Sequence, residues 1–253
     1  MEVLLAGEAG AGRTNEDYAI AAPGIAIVLD GVTQLSGLET GCVHDPAWLV
    51  RTLGGFLVEA LSSDQTSTLD RILAAAIGRL RESHGGGCDL TNPNSPSATV
   101  AMVRERGDHV DYLVLCDSSV VIENSDGIIV VRDDRTDRLE AYDRHTVARL
   151  RNMAGGFWVA STEPAAAAEA VTGSVTRAGL RRLVLCTDGV SRLTDFFQFG
   201  WAEVLELVEQ SGPGAVIDAV RRCERTRPDL LMRPGRRPPK QHDDATLIVW
   251  RYL

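Results

Sequence analysis

The chain has 253 residues, 44% of them hydrophobic and 24% charged, with 24 Gly and a formal net charge of −9 at pH 7. That length and apolar content suit a folded domain burying roughly 75% of its unfolded surface, and exclude a disordered chain. The acidity argues against nucleic acid or a membrane surface as the main partner, and no apolar run approaches the ~18 residues a membrane helix needs.

The N-terminus, MEVLLAGEAG, has an acid at position 2 and no basic stretch, unlike a secretory leader. VLLA reads as a strand and runs into GEAGAGRT at 7–14, which fits the phosphate-loop pattern G-x-x-x-x-G-[KR]-[ST]. Arg13 occupies the lysine position of that pattern, and too few residues lie between Thr14 and Pro23 for the helix it requires. The P-loop is therefore the weaker reading. Residues 17–22 and 25–30 are short apolar runs split by Pro23-Gly24, which predicts a hairpin. Apolar residues at helical spacing predict helices over 46–61 and 68–82, with Ser67 or Thr68 capping the second. GGGCDLTNPNSPS at 85–97 is dense in turn formers and reads as a loop.

Three β-like stretches follow, ATVAMVRE, VDYLVLCD and GIIVVRD. Next come a helix near 143–152, a strand FWVAS (157–161) and an Ala-rich helix from Pro164. RRLVLCTDG (181–189) is another strand, then helices near 201–211 and 214–226, a basic loop (227–242) and a closing strand ATLIVWRYL. Strands grouped with strands, and helices with helices, predict an α+β fold. Two antiparallel sheets face to face with helix pairs outside accommodate the order, as one domain over 1–253.

Cys42, Cys88, Cys116, Cys186 and Cys223 are odd in number and contain no CxxC pair. They read as neither a disulfide framework nor a structural zinc site, which points to a reduced, cytoplasmic protein. His44 and His242 read as structural side chains. Lys240 is the single Lys among 26 basic residues.

Carboxylates mark strand ends throughout. IAIVL runs into Asp30-Gly31, RRLVLCT into Asp188-Gly189 and DYLVLC into Asp117, while Glu16-Asp17 and Asp243-Asp244 stand directly before strands. One Asp-Gly is an ordinary turn signal. Five carboxylate-bearing ends, gathered at one end of a packed sheet, repel unless a cation neutralises them. Hard oxygen ligands suit Mg²⁺ or Mn²⁺.

In order, RTNEDY, VLDG, SPSATVAMV, LVLCDSS, LVLCTDG and HDDATLIV resemble the metal-dependent serine/threonine phosphatases of the PPM type, the protein phosphatase 2C family, in a divergent, bacterial-like form. The resemblance implies a four-layer α-β-β-α sandwich and a hydrolase cleaving phosphoserine and phosphothreonine in proteins with metal-activated water. Two Mn²⁺ or Mg²⁺ ions, with a third in bacterial members, would be held by Asp30, the Gly31 carbonyl, Asp188 and Asp243. Glu16 and Asp17 would touch the centre directly or through water, Asp117 would serve the third ion, and Asp244 takes the family's Asn position. Arg13 would bind phosphate, acting with Asp30 and Asp188 in catalysis. A phosphoprotein of a bacterial Ser/Thr kinase pathway is the implied substrate, and a monomer the implied state. The family's Gly-Gly after the first Asp-Gly is Val32-Thr33-Gln34 here, and its Gly-Asp-Ser-Arg is Cys116-Asp117-Ser118-Ser119. These departures favour the alternative of a degenerate member that binds metal or a phosphorylated partner.

Overall fold

The computed structural model describes residues 1–10, 12, 14–33, 37, 39–141, 143–232 and 240–252. Strand β1 (Glu2–Glu8) pairs antiparallel with the last strand, β10 (Ala245–Arg251). Beyond β10 lie β9 (Leu180–Cys186), β6 (Ser119–Asn124) and the edge strand β7 (Gly127–Arg132). The second sheet runs β2 (Asp17–Ala22), β3 (Ile25–Gly31), β4 (Ala98–Arg106), β5 (His109–Leu115) and β8 (Val171–Thr176), again antiparallel.

Strand β3 is apolar at nearly every position because both of its faces are covered. Ile25, Ile27 and Leu29 pack beneath α1 (Pro46–Ser63) and α2 (Leu69–Ser83), while Ala26 and Val28 face the other sheet. Helix α1 begins at Asp45, whose carboxylate accepts the Trp48 N–H at 2.7 Å, with Pro46 in the first turn. On the opposite side, α4 (Asp188–Asp195), α5 (Trp201–Ser211) and α6 (Pro213–Thr226) bury Val204, Val208, Val216 and Val220 against Leu247 and Val249. Between the sheets, Ala26, Val28, Ala101 and Val103 meet Val120, Ile122, Leu185, Ile248 and Trp250. The result is the expected four-layer α-β-β-α sandwich.

Several local expectations are corrected. FWVAS forms only isolated bridges, Ala98 to Ala160 and Arg151 to Phe157, and packs Phe157 and Val159 with Cys116 beside α3 (Arg144–Leu150). The Ala-rich stretch is a short 3-10 turn, Pro164–Glu169, and is followed by the unexpected strand β8. SVVIEN, between two turn-forming segments, is the unexpected β6. Asp188 does not end a strand but opens α4. The P-loop reading fails, since β1 continues through Glu8, β2 starts at Asp17, and too few residues separate them for the helix that motif requires, with no helix among the described ones.

One close backbone crossing positions the site. A Cβ on Gly189 would lie 1.9 Å from the Asp244 carbonyl oxygen, so the turn from β9 into α4 can pass the start of β10 only as glycine. Gly189→Ala is expected to destabilise the fold by on the order of 2–3 kcal/mol as backbone is pushed aside. Urea unfolding at equilibrium measures this, and an unchanged midpoint would contradict the crossing.

Candidate metal centre

The β2–β3 register sets Asp17 directly opposite Asp30. Opposed residues of an antiparallel pair share a face, and Asp30 continues the Ala26, Val28 side that looks into the layer between the sheets. Two carboxylates therefore stand together where the inter-sheet core ends. The other sheet contributes Asp188, at the start of α4, and Asp243, two residues before β10, while Asp117 follows β5.

The electrostatics show that the five converge. Burial first, then the charges of Asp17, Asp188, Asp243 and Asp117, hold the Asp30 carboxyl well above the usual carboxylate range. Burial pushes Asp17 up to about 7, opposed by hydrogen bonds from Thr246 and Thr187 and assisted by Asp244 and Asp243. Asp188 is pushed up to about 8, again by burial first and then by Asp243 and Asp117, with Arg192 opposing. Asp117 is raised by burial, against its own backbone hydrogen bonding and the charge of Arg132.

Each carboxylate has a distinct setting. Thr187 Oγ1 donates to Asp17 Oδ2 at 2.9 Å, whereas Asp17 Oδ1 is buried without a hydrogen-bond partner. The Glu16 carbonyl accepts the Gly31 N–H at 2.9 Å, and its carboxylate accepts from the Thr33 hydroxyl. A Cβ on Gly31 would sit 2.7 Å from that Glu16 carbonyl oxygen, so this position too excludes a side chain. Asp243 accepts from Arg192 Nη2 at 2.8 Å and from Lys240 Nζ at 2.5 Å. Asp244 turns elsewhere, its two oxygens accepting the Gly10 N–H at 2.6 Å and the Glu16 N–H at 2.8 Å. It ties both ends of the segment containing Arg13 to the start of β10. Arg13 itself lies outside the described residues, as do Gln34 and the loop arginines Arg233, Arg236 and Arg237.

Sequence reasoning missed the ionic frame behind Asp243. Arg192 Nη1 donates to the fully buried Glu224 at 2.7 Å, Arg221 Nη1 donates to the other Glu224 oxygen at 3.0 Å, and Arg221 Nε reaches Glu8 at 2.9 Å. His242 Nδ1 lies 2.7 Å from Glu224, a structural placement. The available signal was charge on an apolar stripe, since Arg221 and Glu224 each fall four residues after Ile217 and Val220 on the buried face of α6. Cys116 shows why the family's motif carries glycine there. Its φ is +67°, a left-handed conformation that costs a side-chain-bearing residue about 1 kcal/mol or more.

Carboxylate oxygens suit a hard divalent cation, and the buried Asp17 Oδ1 is without a hydrogen-bond partner. No described helix is long and apolar enough to cross a membrane.

A sequence profile of the protein phosphatase 2C family matches residues 10–219. No curated protein matches the sequence. Among solved structures, PppA, described as a key regulatory component of T6SS in Pseudomonas aeruginosa, is 19% identical with a TM-score of 0.61, over 99% of this chain and 97% of that one. The Mycobacterium tuberculosis serine/threonine phosphatase PstP/Ppp is 15% identical with a TM-score of 0.61, over 98% and 97%. The catalytic domain of PstP in complex with two manganese ions is 13% identical with a TM-score of 0.59, over 98% and 96%.

The raised carboxyls set a pH dependence. Below 3.8 they are protonated in folded and unfolded chains alike, and their stabilising contribution is fully present. As pH rises the unfolded chain releases protons that the folded one retains, so the share from Asp17 and Asp188 is lost as pH passes about 7 and about 8. A divalent cation held by these carboxylates would displace those protons and remove the decline. Urea midpoints across this range should fall with pH in chelator relative to Mn²⁺. Parallel profiles in the two conditions would be inconsistent with a shared cation site.

Proposed function

Because the chain belongs to the protein phosphatase 2C family, we propose that it is a metal-dependent phosphomonoester hydrolase acting on phosphoserine or phosphothreonine in proteins. The observation that carries this reading is the convergence of Asp17, Asp30, Asp117, Asp188 and Asp243 at one end of the sandwich, where burial and mutual charge raise the carboxyls of Asp17, Asp30, Asp117 and Asp188. Asp30, the Gly31 carbonyl, Asp188 and Asp243 would hold two Mn²⁺ or Mg²⁺ ions, with Glu16 and Asp17 alongside and Asp117 serving a third. When bound, the cations supply Lewis-acid charge at the phosphoryl group and lower the pKa of water from 15.7 towards roughly 7.

The chain's own residues do the positioning. Arg192 and Lys240 fix Asp243 from two directions, and Thr187 orients Asp17. Asp244 is better assigned to loop anchoring than to metal, because backbone N–H groups engage both of its oxygens. It anchors Gly10 and Glu16, and Arg13, which falls between them in the sequence, would bind the phosphoryl oxygens in bidentate fashion. The substrate would be a phosphoprotein of a bacterial Ser/Thr kinase pathway, met by a cytoplasmic monomer. The alternative of an inert partner-binding member is not favoured, because the family match and the grouped aspartates both support a hydrolase.

The test is hydrolysis of para-nitrophenyl phosphate and a phosphothreonine peptide with Mn²⁺, with chelator, and by Asp30→Asn and Asp188→Asn. Chelator should abolish turnover, and each substitution should lower it by more than about 100-fold. Turnover that persists in chelator, or in both variants, would refute the reading. Independently, Mn²⁺ at about 100 times its Kd adds about 2.7 kcal/mol of stability, which should raise Tm by about 5–10 °C in the wild type.

A further inference from the structure

Four side chains that the carboxylate centre does not use meet at the base of the first helix pair. Cys42 and His44 lie just before α1, and His84 and Cys88 just after α2, giving the spacings C-x-H and H-x₃-C. Cys42 Sγ and Cys88 Sγ are 3.0 Å apart, and His44 Nδ1 lies 3.5 Å from the first and 3.4 Å from the second. The ligand atoms of Cys42, His44 and His84 all fall within 4.8 Å of one another.

His84 supplies the independent observation. It is only 3% exposed, and its Nδ1 sits 2.9 Å from the Leu80 carbonyl, which can only accept, so Nδ1 carries the proton. Nε2 then holds a lone pair, and it is buried with no hydrogen-bond partner. An imidazole oriented by a backbone carbonyl through one nitrogen and open at the other is the arrangement of a metal-ligating histidine. His44 is held as firmly, stacked on Trp48 with ring centroids 3.7 Å apart and edge-on to His84 at 5.3 Å. The His44 N–H also donates to Cys42 Sγ at 3.4 Å, tying down the thiol.

We propose that Cys42, His44, His84 and Cys88 form a structural zinc site that staples the segment entering α1 to the segment leaving α2. Zn–S bonds of about 2.3 Å and Zn–N bonds of about 2.0–2.1 Å at tetrahedral angles give S···N edges of about 3.5 Å, matching the two distances to His44. Cys88 stands outside the 4.8 Å triad of Cys42, His44 and His84 and must close towards His84 on binding. The same geometry gives an S···S edge of about 3.8 Å, so the sulfurs part by about 0.8 Å on binding. Two thiolates and two imidazoles select zinc over Mg²⁺ or Mn²⁺, and four protein ligands close the site to chemistry. A disulfide between Cys42 and Cys88 would leave Nε2 of His84 unexplained. The absence of CxxC, which argued against zinc in the sequence, fails here because each cysteine is paired locally with a histidine instead.

Metal analysis of the purified protein tests this. About one zinc per chain is expected, retained in Asp30→Asn and Asp188→Asn but falling below about 0.1 in Cys42→Ser and Cys88→Ser. Should the serine variants fail to fold, Co²⁺ exchanged into the wild type must still give a thiolate-to-metal charge-transfer band. Removing zinc should lower Tm by at least about 5 °C and free two thiols for reaction with a disulfide reagent. The proposal falls if the reduced protein takes up no zinc, if Cys42 and Cys88 are recovered as a disulfide, or if zinc leaves with Asp30→Asn and stays in Cys42→Ser. None of these outcomes bears on Mn²⁺-dependent hydrolysis, so the two readings stand or fall separately.

Discussion

Repulsion among buried carboxylates is the condition that the rest of the structure has to satisfy. Two unit charges about 4 Å apart at an effective dielectric of about 20 repel by about 4 kcal/mol, against a typical total stability of about 5–15 kcal/mol. Asp17, Asp30, Asp117 and Asp188 cannot all be ionised together in a cation-free interior, and their raised carboxyls express that. The chain holds them in place with backbone instead of charge. The hairpin register fixes Asp17 against Asp30, and the glycine-only crossing at Gly189 fixes Asp188 beside Asp243. A site held by backbone geometry persists whether its carboxylates are protonated or neutralised by metal.

The two sheets neutralise their shares differently. Asp243 has Arg192 and Lys240, and behind Arg192 runs a buried relay through Glu224 and Arg221 to Glu8. Removing one member of such a relay leaves its partner buried and unpaired, a cost of about 3–5 kcal/mol, so the frame is rigid. Asp17 is met by a hydroxyl, from Thr187, and Glu16 by that of Thr33. Hydroxyls orient a carboxylate without cancelling its charge. Lys240 is the cation shared between the two sides, its charge acting on Asp30 and Glu16 as well as on Asp243.

Local chemistry was legible and long-range pairing was not. Both helices of the first pair, the hairpin at Pro23-Gly24 and the carboxylates at strand ends follow from short windows of sequence. Strand β8 escaped because VTGSVT is a largely exposed edge strand with no apolar run, paired only through β5. FWVAS has a strand's composition yet finds only isolated bridges, so its apolar residues pack instead with Cys116. Asp244 looked equivalent to Asp243 one residue away, and only the return of the chain near Gly10 and Glu16 separates them. The Cys and His cluster was invisible for the same reason, its two halves being joined across the length of both helices.

The two metal-suited sites are linked through shared segments. From Gly31, Val32 donates to the Ser97 carbonyl at 2.8 Å, and Thr33 reaches Glu16 beside the carboxylates. The same segment then arrives at Cys42 and His44. From Cys88 the opposing segment runs back to Ser97, crossing the first through Asp89 N–H to the Gly41 carbonyl at 2.6 Å and Asn92 to Glu39 at 3.1 Å. A staple at the cysteines shortens both free spans at the end remote from the carboxylates. Where the family has Gly-Gly, this chain has the bulkier Val32-Thr33-Gln34. Val32 is fixed to β4 through Ser97, and Thr33 to the Glu16 carboxylate, so this end of the segment is held from the carboxylate side.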